Sequence, residues 1–383
     1  MHLLNHAANG LMPDCTVQAI TDYLRAEQTL SPYLAALQAK PQVEALYGLL
    51  GELLHCAPSD IALTTGNSHG WTALMTALPW QAGDKVLITP GEWGGNVAML
   101  AQLQQRYGIV VELIPHHASG SLDLQALAHV LASDRRIRVL ALTWVPANGA
   151  TIYPAQAIGA LCAQHAVTYV VDAAQALGHI PIDVQALQCD ALTAPGRKWL
   201  CGPRGTGLVY VHPRLLDRLQ PVVVNHQSCP ITAQGPQLRG DARCLEQSEH
   251  SVALRLGWYT ALADARSMGW PTRFAAIAHS ARALRSALAQ LPSITVHEHP
   301  GNAPENALVA FSVAGYSAQQ VQQRLLEQGV SVAVNSMGST PHDMQARGLT
   351  SVVRASVGWC TTAQDIAALA AALRTLTPAL VQV

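Results

Sequence analysis

The fold is decided by the stretch Val170-Val171-Asp172-Ala173-Ala174-Gln175. A continuous apolar run is typical of a buried strand in a parallel sheet, and the carboxyl ends of such strands form ligand sites in open α/β sheets. Asp172 alone is more simply interpreted as a cap of the following turn. A second stretch, DALTAPGRKWLCGPRGTG from Asp190 to Gly207, places Lys198 between glycine-rich turns. With this lysine following Asp172, the better interpretation is that the two residues belong to one ligand site.

Strands and helices alternate on both sides of these stretches. Strand candidates are 85–89, 110–114, 138–143, 168–171 and 207–211, separated by amphipathic helix candidates at 97–107, 124–132 and 154–165. This alternation indicates βαβ units. We therefore predict an α/β fold with a mostly parallel central sheet.

The pattern changes near Ser251, where a long helical stretch (252–268, then 274–291) begins. It leads to strand candidates at 308–313 and 330–334 and to helix candidates at 318–328 and 362–376. We expect a smaller C-terminal α+β domain covering 255–383, a large domain covering 21–254, and an N-terminal segment, 1–20, that packs with the small domain.

Composition narrows the class of protein. The net charge is −1 and hydrophobic residues make up 50% of the chain, so neither a nucleic-acid nor an anionic-membrane partner is expected. We find no signal-peptide pattern and no apolar run of bilayer length, and we expect a cytoplasmic protein with reduced cysteines. The histidine pairs His116-His117 and His297-x-His299 have no Cys, Asp or Glu nearby at zinc-site spacing, so no metal site is expected.

Lysine is scarce, which makes each lysine informative. The only lysines are Lys40, Lys85 and Lys198. A lysine is ordinarily a surface residue, but Lys198 lies in a Gly/Pro/Trp context with few charges. This context suits a partly desolvated amine of depressed pKa, which can form a Schiff base.

With Asp-x-x-Gln followed by Gly-x-Lys, the run from Val171 to Val211 resembles the fold-type I, class V aminotransferase family. That family includes cysteine desulfurases, isopenicillin N epimerase and related C–S lyases. The stretches 4–7, 196–198 and 347–356 look most like the branch with ergothioneine-pathway sulfoxide lyases. The resemblance implies the fold-type I transferase fold, pyridoxal 5′-phosphate as cofactor, an amino-acid substrate, and a homodimer that shares its active sites.

The resemblance also implies roles for individual residues. Lys198 would form the imine and move protons at Cα, Asp172 would pair with the pyridine nitrogen, and Gln175 would donate to the phenolic oxygen. Trp93 would stack on the ring, although a buried core tryptophan is the alternative. Arg354 would bind the substrate carboxylate, although a surface arginine is the alternative. The remaining implied contacts are to the cofactor from Gly66, Asn67, Ser68, Thr193 and Arg197, and to the substrate from Asn5.

The sequence departs from the family at points that affect the reaction. The stretch 334–344 lacks the cysteine with which desulfurases accept sulfur, and it has no arginine near Pro341 for a second substrate anion. Pro195 stands where relatives often have a serine or threonine whose hydroxyl binds the phosphate. Arg197 or the partner subunit would supply the contact that is lost. We expect C–S β-elimination from an S-substituted cysteine or its sulfoxide through an external aldimine. Transamination and epimerisation remain alternatives, and a non-catalytic binding protein is less expected because Lys198 and Asp172 are both present.

Overall fold

The computed structural model describes residues 1–376 and shows strands and helices alternating from Ile61 to Pro195. The strands are β1 (His2–Leu3), β2 (Ile61–Thr64), β3 (Lys85–Ile88), β4 (Val110–Leu113), β5 (Ile137–Thr143), β6 (Thr168–Asp172), β7 (Ala191–Pro195), β8 (Gly207–Val211), β9 (Ile231–Thr232), β10 (Gly235–Pro236), β11 (Ile294–Val296), β12 (Leu308–Val313), β13 (Val330–Ser331), β14 (Ala333–Ser336) and β15 (Ser351–Ser356). The helices are α1 (Asp14–Thr29), α2 (Pro32–Leu54), α3 (Asn67–Ala77), α4 (Gly94–Tyr107), α5 (Leu124–Ser133), α6 (Ala155–Gln164), α7 (Val184–Leu187), α8 (Pro213–Leu216), α9 (Val252–Met268), α10 (Trp270–Ala289), α11 (Ala318–Glu327), α12 (Pro341–Ala346) and α13 (Ala363–Arg374).

The central sheet has seven strands in the order β2-β8-β7-β6-β5-β3-β4. All neighbours pair in parallel except β8, which runs antiparallel to both β2 and β7. The register pairs Thr143 of β5 with Asp172 of β6, and Asp172 with Thr193 of β7. These three polar residues therefore lie in one row at the carboxyl edge of the sheet.

Both faces of this sheet are covered, which explains its continuous apolar strands. Every residue of β6 is buried. Tyr169 and Val171 belong to one hydrophobic core, whereas Val170 belongs to a second core on the opposite face. Successive side chains of a strand point to opposite faces, so a strand buried on both sides must be apolar at every position.

A second sheet of four antiparallel strands, in the order β11-β12-β15-β14, lies in the last third of the chain. The N-terminal segment joins this part of the molecule: β1 pairs in parallel with β13, and Asn5 forms an isolated bridge with Ser356. The predicted domain boundaries stay a prediction, and residues 377–383 of the predicted small domain lie outside the described residues.

The structure corrects several predicted elements. The strand predicted at 330–334 is two strands, β13 and β14, which pair with β1 and β15 respectively. Helix α10 begins at Trp270 rather than at 274. Pro271 is accommodated in its first turn, because the backbone N–H groups of a first turn have no partner within the helix and the N–H that proline lacks is not needed there. The elements that the sequence does not predict are strands β1, β2, β7, β9, β10, β11 and β15 and helices α1, α2, α7, α8 and α12. No helix within residues 1–376 has both the length and the apolarity needed to cross a membrane.

Candidate active site

A cavity of about 350 Å³ opens at the carboxyl edge of the central sheet. Its walls come from the β2–α3 turn, the start of α4, the ends of β5 and β6, and the loop after β7. Asp172, Lys198, Trp93, Gln175 and Arg197 all line it. The structure therefore brings together residues that are far apart in the sequence and that the sequence predicts to form one site.

Asp172 is fixed by three hydrogen bonds. Its Oδ2 accepts from Asn67 Nδ2 at 2.9 Å and from Asn96 Nδ2 at 2.8 Å, and its Oδ1 accepts from the backbone N–H of Ala174 at 2.9 Å. The side chain is only 1% exposed. A buried carboxylate held by neutral donors keeps its charge available for a cationic group in the cavity.

Lys198 lies in the loop after β7, where close packing requires glycine. A Cβ at Gly196 would lie 2.6 Å from Trp258, and one at Gly202 would lie 2.5 Å from the same indole. Burial lowers the pKa of Lys198 to about 7; Asp172 opposes this shift, while Arg197 and Arg354 add to it. The predicted lowered pKa thus agrees with the structure, and much of the amine is neutral and nucleophilic at neutral pH.

The β2–α3 turn presents a helix N-terminus to the cavity. Gly66, Asn67 and Ser68 line the cavity, and α3 begins at Asn67 with no side-chain cap. The first N–H groups of a helix lack intrahelical partners and carry a partial positive charge. This geometry is suited to an anionic group.

Trp93 and Gln175 occupy different parts of the cavity wall. Trp93 is 36% exposed, so it is not the buried core residue considered as its alternative. Gln175 is buried; its Nε2 donates to Ala7 O at 2.9 Å and its Oε1 accepts from Trp199 Nε1 at 3.0 Å. An amide nitrogen carries two hydrogens, so Gln175 retains one donor for a cavity ligand.

Arg354 is a buried cation rather than a surface arginine. On β15 it is 5% exposed, with Nη1 donating to Ala147 O at 2.9 Å and Nη2 donating to Asn5 Oδ1 at 3.4 Å. Within residues 1–376 its Nε has no hydrogen-bond partner and it forms no ion pair with a carboxylate. Burial, with a smaller contribution from the charge on Arg197, lowers the pKa of Arg354 to about 10.

Two predicted contacts are less direct. Arg197 lines the cavity, but its Nη1 donates to the backbone carbonyl of Ala8 in the N-terminal segment. Thr193 is fully buried in β7 and is not part of the cavity wall. Its hydroxyl has no partner among the described residues.

Sequence reasoning missed Thr143, which lines the cavity, and the buried Glu92 and Asn96, which are hydrogen-bonded to the lining residues Thr143 and Asp172. Glu92 is completely buried and accepts hydrogen bonds from Asn96 Nδ2 at 2.8 Å and from Thr143 Oγ1 at 2.8 Å. The only sequence signal was a glutamate beside Trp93 in a stretch with few charges.

The segment that replaces the desulfurase cysteine loop packs against the cavity edge. Asn335 Nδ2 donates to Ala147 O at 3.0 Å. A Cβ at Gly94 would clash with the carbonyl oxygen of Gly338, so the two glycines allow close backbone contact. Burial is the main cause that raises the pKa of the Cys201 and Cys360 thiols.

Solved structures share this fold along nearly the whole chain. A cysteine desulfurase from Thermococcus onnurineus NA1 has a TM-score of 0.88 at 19% identity, covering 98% of this chain and 94% of that one. The cystine C–S lyase C-DES, in complex with its reaction product cysteine persulfide, has a TM-score of 0.89 at 25% identity and covers 98% of both chains. A C-DES mutant with glycine covalently linked to its PLP cofactor has a TM-score of 0.87 at 25% identity, covering 97% of this chain and 96% of that one. The α/β fold with a mostly parallel central sheet is therefore the fold of PLP-dependent enzymes of the desulfurase type, as predicted.

The sequence relatives identify the family. The aminotransferase class-V model matches residues 2–369. A probable hercynylcysteine sulfoxide lyase of Mycobacterium tuberculosis is 30% identical over 76% of this chain and 67% of its own length. A cysteine desulfurase of Salmonella agona is 30% identical over 97% of this chain and 92% of its own length. The chain belongs to the aminotransferase class-V family, which confirms the resemblance seen in the sequence.

Proposed function

We propose that this protein is a pyridoxal 5′-phosphate-dependent lyase that eliminates a sulfur leaving group from the Cβ of an S-substituted cysteine or its sulfoxide. One observation carries the proposal: an amine of lowered pKa (Lys198) and a fixed carboxylate (Asp172) line one cavity, and the buried guanidinium of Arg354 donates to Ala147, which lines the same cavity. The relatives named as a hercynylcysteine sulfoxide lyase and a cystine C–S lyase support the same substrate class.

The cavity fits the cofactor that C-DES carries. The uncapped N-terminus of α3, with Gly66, Asn67 and Ser68, is suited to the phosphate, and Asp172 to the ring nitrogen. Trp93 offers an exposed aromatic face, and Gln175 has a free donor. When bound, pyridoxal phosphate supplies a protonated ring that accepts the electron pair left at Cα.

The chain's own residues perform the remaining steps. Arg354, oriented by Ala147 O and Asn5, binds the substrate carboxylate. Lys198 would take the Cα proton of the substrate on its Nζ. The Cβ–S bond then breaks with its electron pair going to sulfur, which leaves as a sulfenate or thiol. Hydrolysis of the remainder gives pyruvate and ammonia.

The segment from Val334 to Met344 favours elimination over sulfur transfer to the enzyme. It contains no cysteine. The Cys201 side chain is buried, and burial raises the pKa of its thiol. It therefore lacks the thiolate that a persulfide reaction needs. The sulfur product is therefore expected to leave the protein without forming an enzyme persulfide.

The test is a panel of S-substituted cysteines and their sulfoxides, scored separately for pyruvate, for transfer of the amino group to a keto acid and for inverted amino acid. Pyruvate in stoichiometric amount with the sulfur product supports the lyase. Amino-group transfer without pyruvate would show an aminotransferase, inversion would show an epimerase, and no reaction across the panel would indicate a binding protein.

We also propose that the protein is a homodimer whose partner completes the phosphate site. Large apolar side chains are exposed on α2 and on the segment after α8: Tyr33 is 90% exposed, Leu37 64%, Val223 62% and Ile231 74%. Such a patch is typical of a protein interface. Light scattering at micromolar concentration should give twice the chain mass of 40.7 kDa; a monomer would contradict the proposal. The cytoplasmic location stays a prediction.

A further inference from the structure

A second buried carboxyl group, Glu92, lies next to Asp172 and has no part in the mechanism above. It follows β3 and is 0% exposed. Its Oε1 accepts from Asn96 Nδ2 and Thr143 Oγ1, and its Oε2 accepts from the backbone N–H of Thr143 at 3.0 Å. All of these donors are neutral, so nothing in this set compensates a charge on Glu92.

Asn96 connects the two carboxyl groups directly. Its Nδ2 donates to Glu92 Oε1 at 2.8 Å and to Asp172 Oδ2 at 2.8 Å. An amide nitrogen has two hydrogens, and here each carboxyl group receives one of them. A change in charge on Glu92 is therefore transmitted to Asp172 through one shared side chain at the start of α4.

Few charged groups face this pair. The β5–α6 connection contributes Tyr153, whose hydroxyl accepts from the backbone N–H of Gly91 at 3.0 Å. Lys198 acts on Asp172 from the loop after β7, and Asp343 of α12 acts on Tyr153. Burial is the main cause that raises the pKa of Glu92 to about 7, the hydrogen bond from Asn96 opposes this shift, and the charge on Asp172 adds to it.

We propose that Glu92 is a positioning residue that ionises when the cofactor ring pairs with Asp172, and that its charge, relayed by Asn96, strengthens that pair. The proton that Glu92 releases goes to solvent, and the ring nitrogen takes its proton from solvent. The inference rests on the proposed position of the ring beside Asp172. Glu92 touches neither ring nor substrate and acts through Asn96 and Asp172.

The test uses pyridoxine 5′-phosphate, which lacks the aldehyde, and Lys198→Ala protein, in which no lysine titration interferes. The dissociation constant of pyridoxine 5′-phosphate is measured from pH 6 to pH 8 for the Lys198→Ala protein and for the same protein with Glu92→Gln added. The constant with Glu92→Gln divided by the constant without it should be near one at pH 6, where Glu92 is mostly neutral like glutamine. It should rise to about ten at pH 8, the factor that corresponds to one pKa unit of coupling. Glu327→Gln, an exposed glutamate on α11, is the matched control and should give a ratio of one throughout.

A ratio for Glu92→Gln that does not change with pH would overturn the inference while leaving the cofactor position intact. If pyridoxine phosphate does not bind to the Lys198→Ala protein at all, the cofactor position and the inference both fail. A second measurement needs no substitution at Glu92. The infrared band of a protonated carboxyl group in the unmutated apoprotein at pH 7 should weaken when pyridoxine phosphate binds, and an unchanged band would also overturn the inference.

Discussion

Replacing Arg354 with methionine should weaken substrate binding and stabilise the apoprotein at the same time. Burial and the nearby Arg197 lower the pKa of Arg354 to about 10, against an ordinary value above 12. This corresponds to a penalty of about 3 kcal/mol on the charged form. Two hydrogen bonds, to Ala147 O and Asn5 Oδ1, offset about 2 kcal/mol of it. Removing the guanidinium should therefore raise the free energy of unfolding of the apoprotein by about 1 kcal/mol.

The substrate carboxylate provides the counter-ion that the folded protein lacks at this position. Losing a two-pronged charged contact costs about 3 kcal/mol, which is roughly a 100-fold increase in KM. The affinity for pyridoxal phosphate should change by much less, since Arg354 does not contact the cofactor in the proposed arrangement.

Three measurements on one preparation check this prediction: KM for the best substrate of the panel, cofactor affinity by absorbance, and urea unfolding of the apoprotein. Arg324→Met serves as control, because Arg324 lies on α11 over the ring of Tyr316, away from the cavity. The reasoning is refuted if Arg354→Met destabilises the apoprotein, or if KM and the dissociation constant of the cofactor rise by the same factor, since either result would make the guanidinium a structural group.

Three further predictions concern the same site. The rate at which the apoprotein attaches pyridoxal phosphate covalently should rise with pH and level off above about 7, the pKa of Lys198; stopped-flow absorbance measures it, and a rise that continues to pH 10 would mean an ordinary lysine. Because the pKa of Lys198 is lower in the folded than in the unfolded protein, the unfolding free energy of the apoprotein should increase from pH 7 to pH 10. The Lys198→Ala apoprotein should show no such increase in urea titrations; an equal change of unfolding free energy with pH in the two proteins would contradict the prediction. Asp172→Asn should lower kcat by more than about 100-fold, since the ring loses the charge that keeps it protonated; a smaller loss in single-turnover assays would remove Asp172 from the proposed role.

The sequence was sufficient for the parts of the site that depend on strand order. Apolar runs such as Tyr169-Val170-Val171 predict buried parallel strands, and the carboxyl ends of those strands place Asp172 and Lys198 at one edge of the sheet. The lowered pKa of Lys198 was also predictable from its uncharged neighbours. These inferences need only local pattern and the topology of parallel sheets.

The hydrogen bonds beneath the cavity could not be predicted from the sequence. Glu92 contacts Thr143, 51 positions away, and Asn96 contacts Asp172, 76 positions away. Neither pair shares a periodic pattern, because the contacts depend on how strand ends align in the sheet. For the same reason no sequence pattern indicates the hydrogen bond from Gln175 to Ala7 of the N-terminal segment.

Short irregular strands were the weakest part of the sequence prediction. Val330–Val334 looks like one apolar strand, yet the chain changes partner at Val332, between β13 and β14. Strand β7, Ala191–Pro195, was hidden because its small residues, threonine and proline resemble a loop. Its neighbours β6 and β8 supply the hydrogen bonds that such a sequence does not favour by itself.

The central claim is tested most directly by reducing the cofactor-loaded protein with borohydride and mapping the pyridoxyl group by mass spectrometry of the digest. The tag should lie on Lys198. Lys85 should be unmodified, because Glu112 at 2.6 Å and Asp134 at 3.1 Å raise the pKa of its amine and keep it protonated. Lys40 lies exposed on α2, outside the cavity. A tag mainly on Lys40 or Lys85, or no tag on protein that binds the cofactor, would contradict the account.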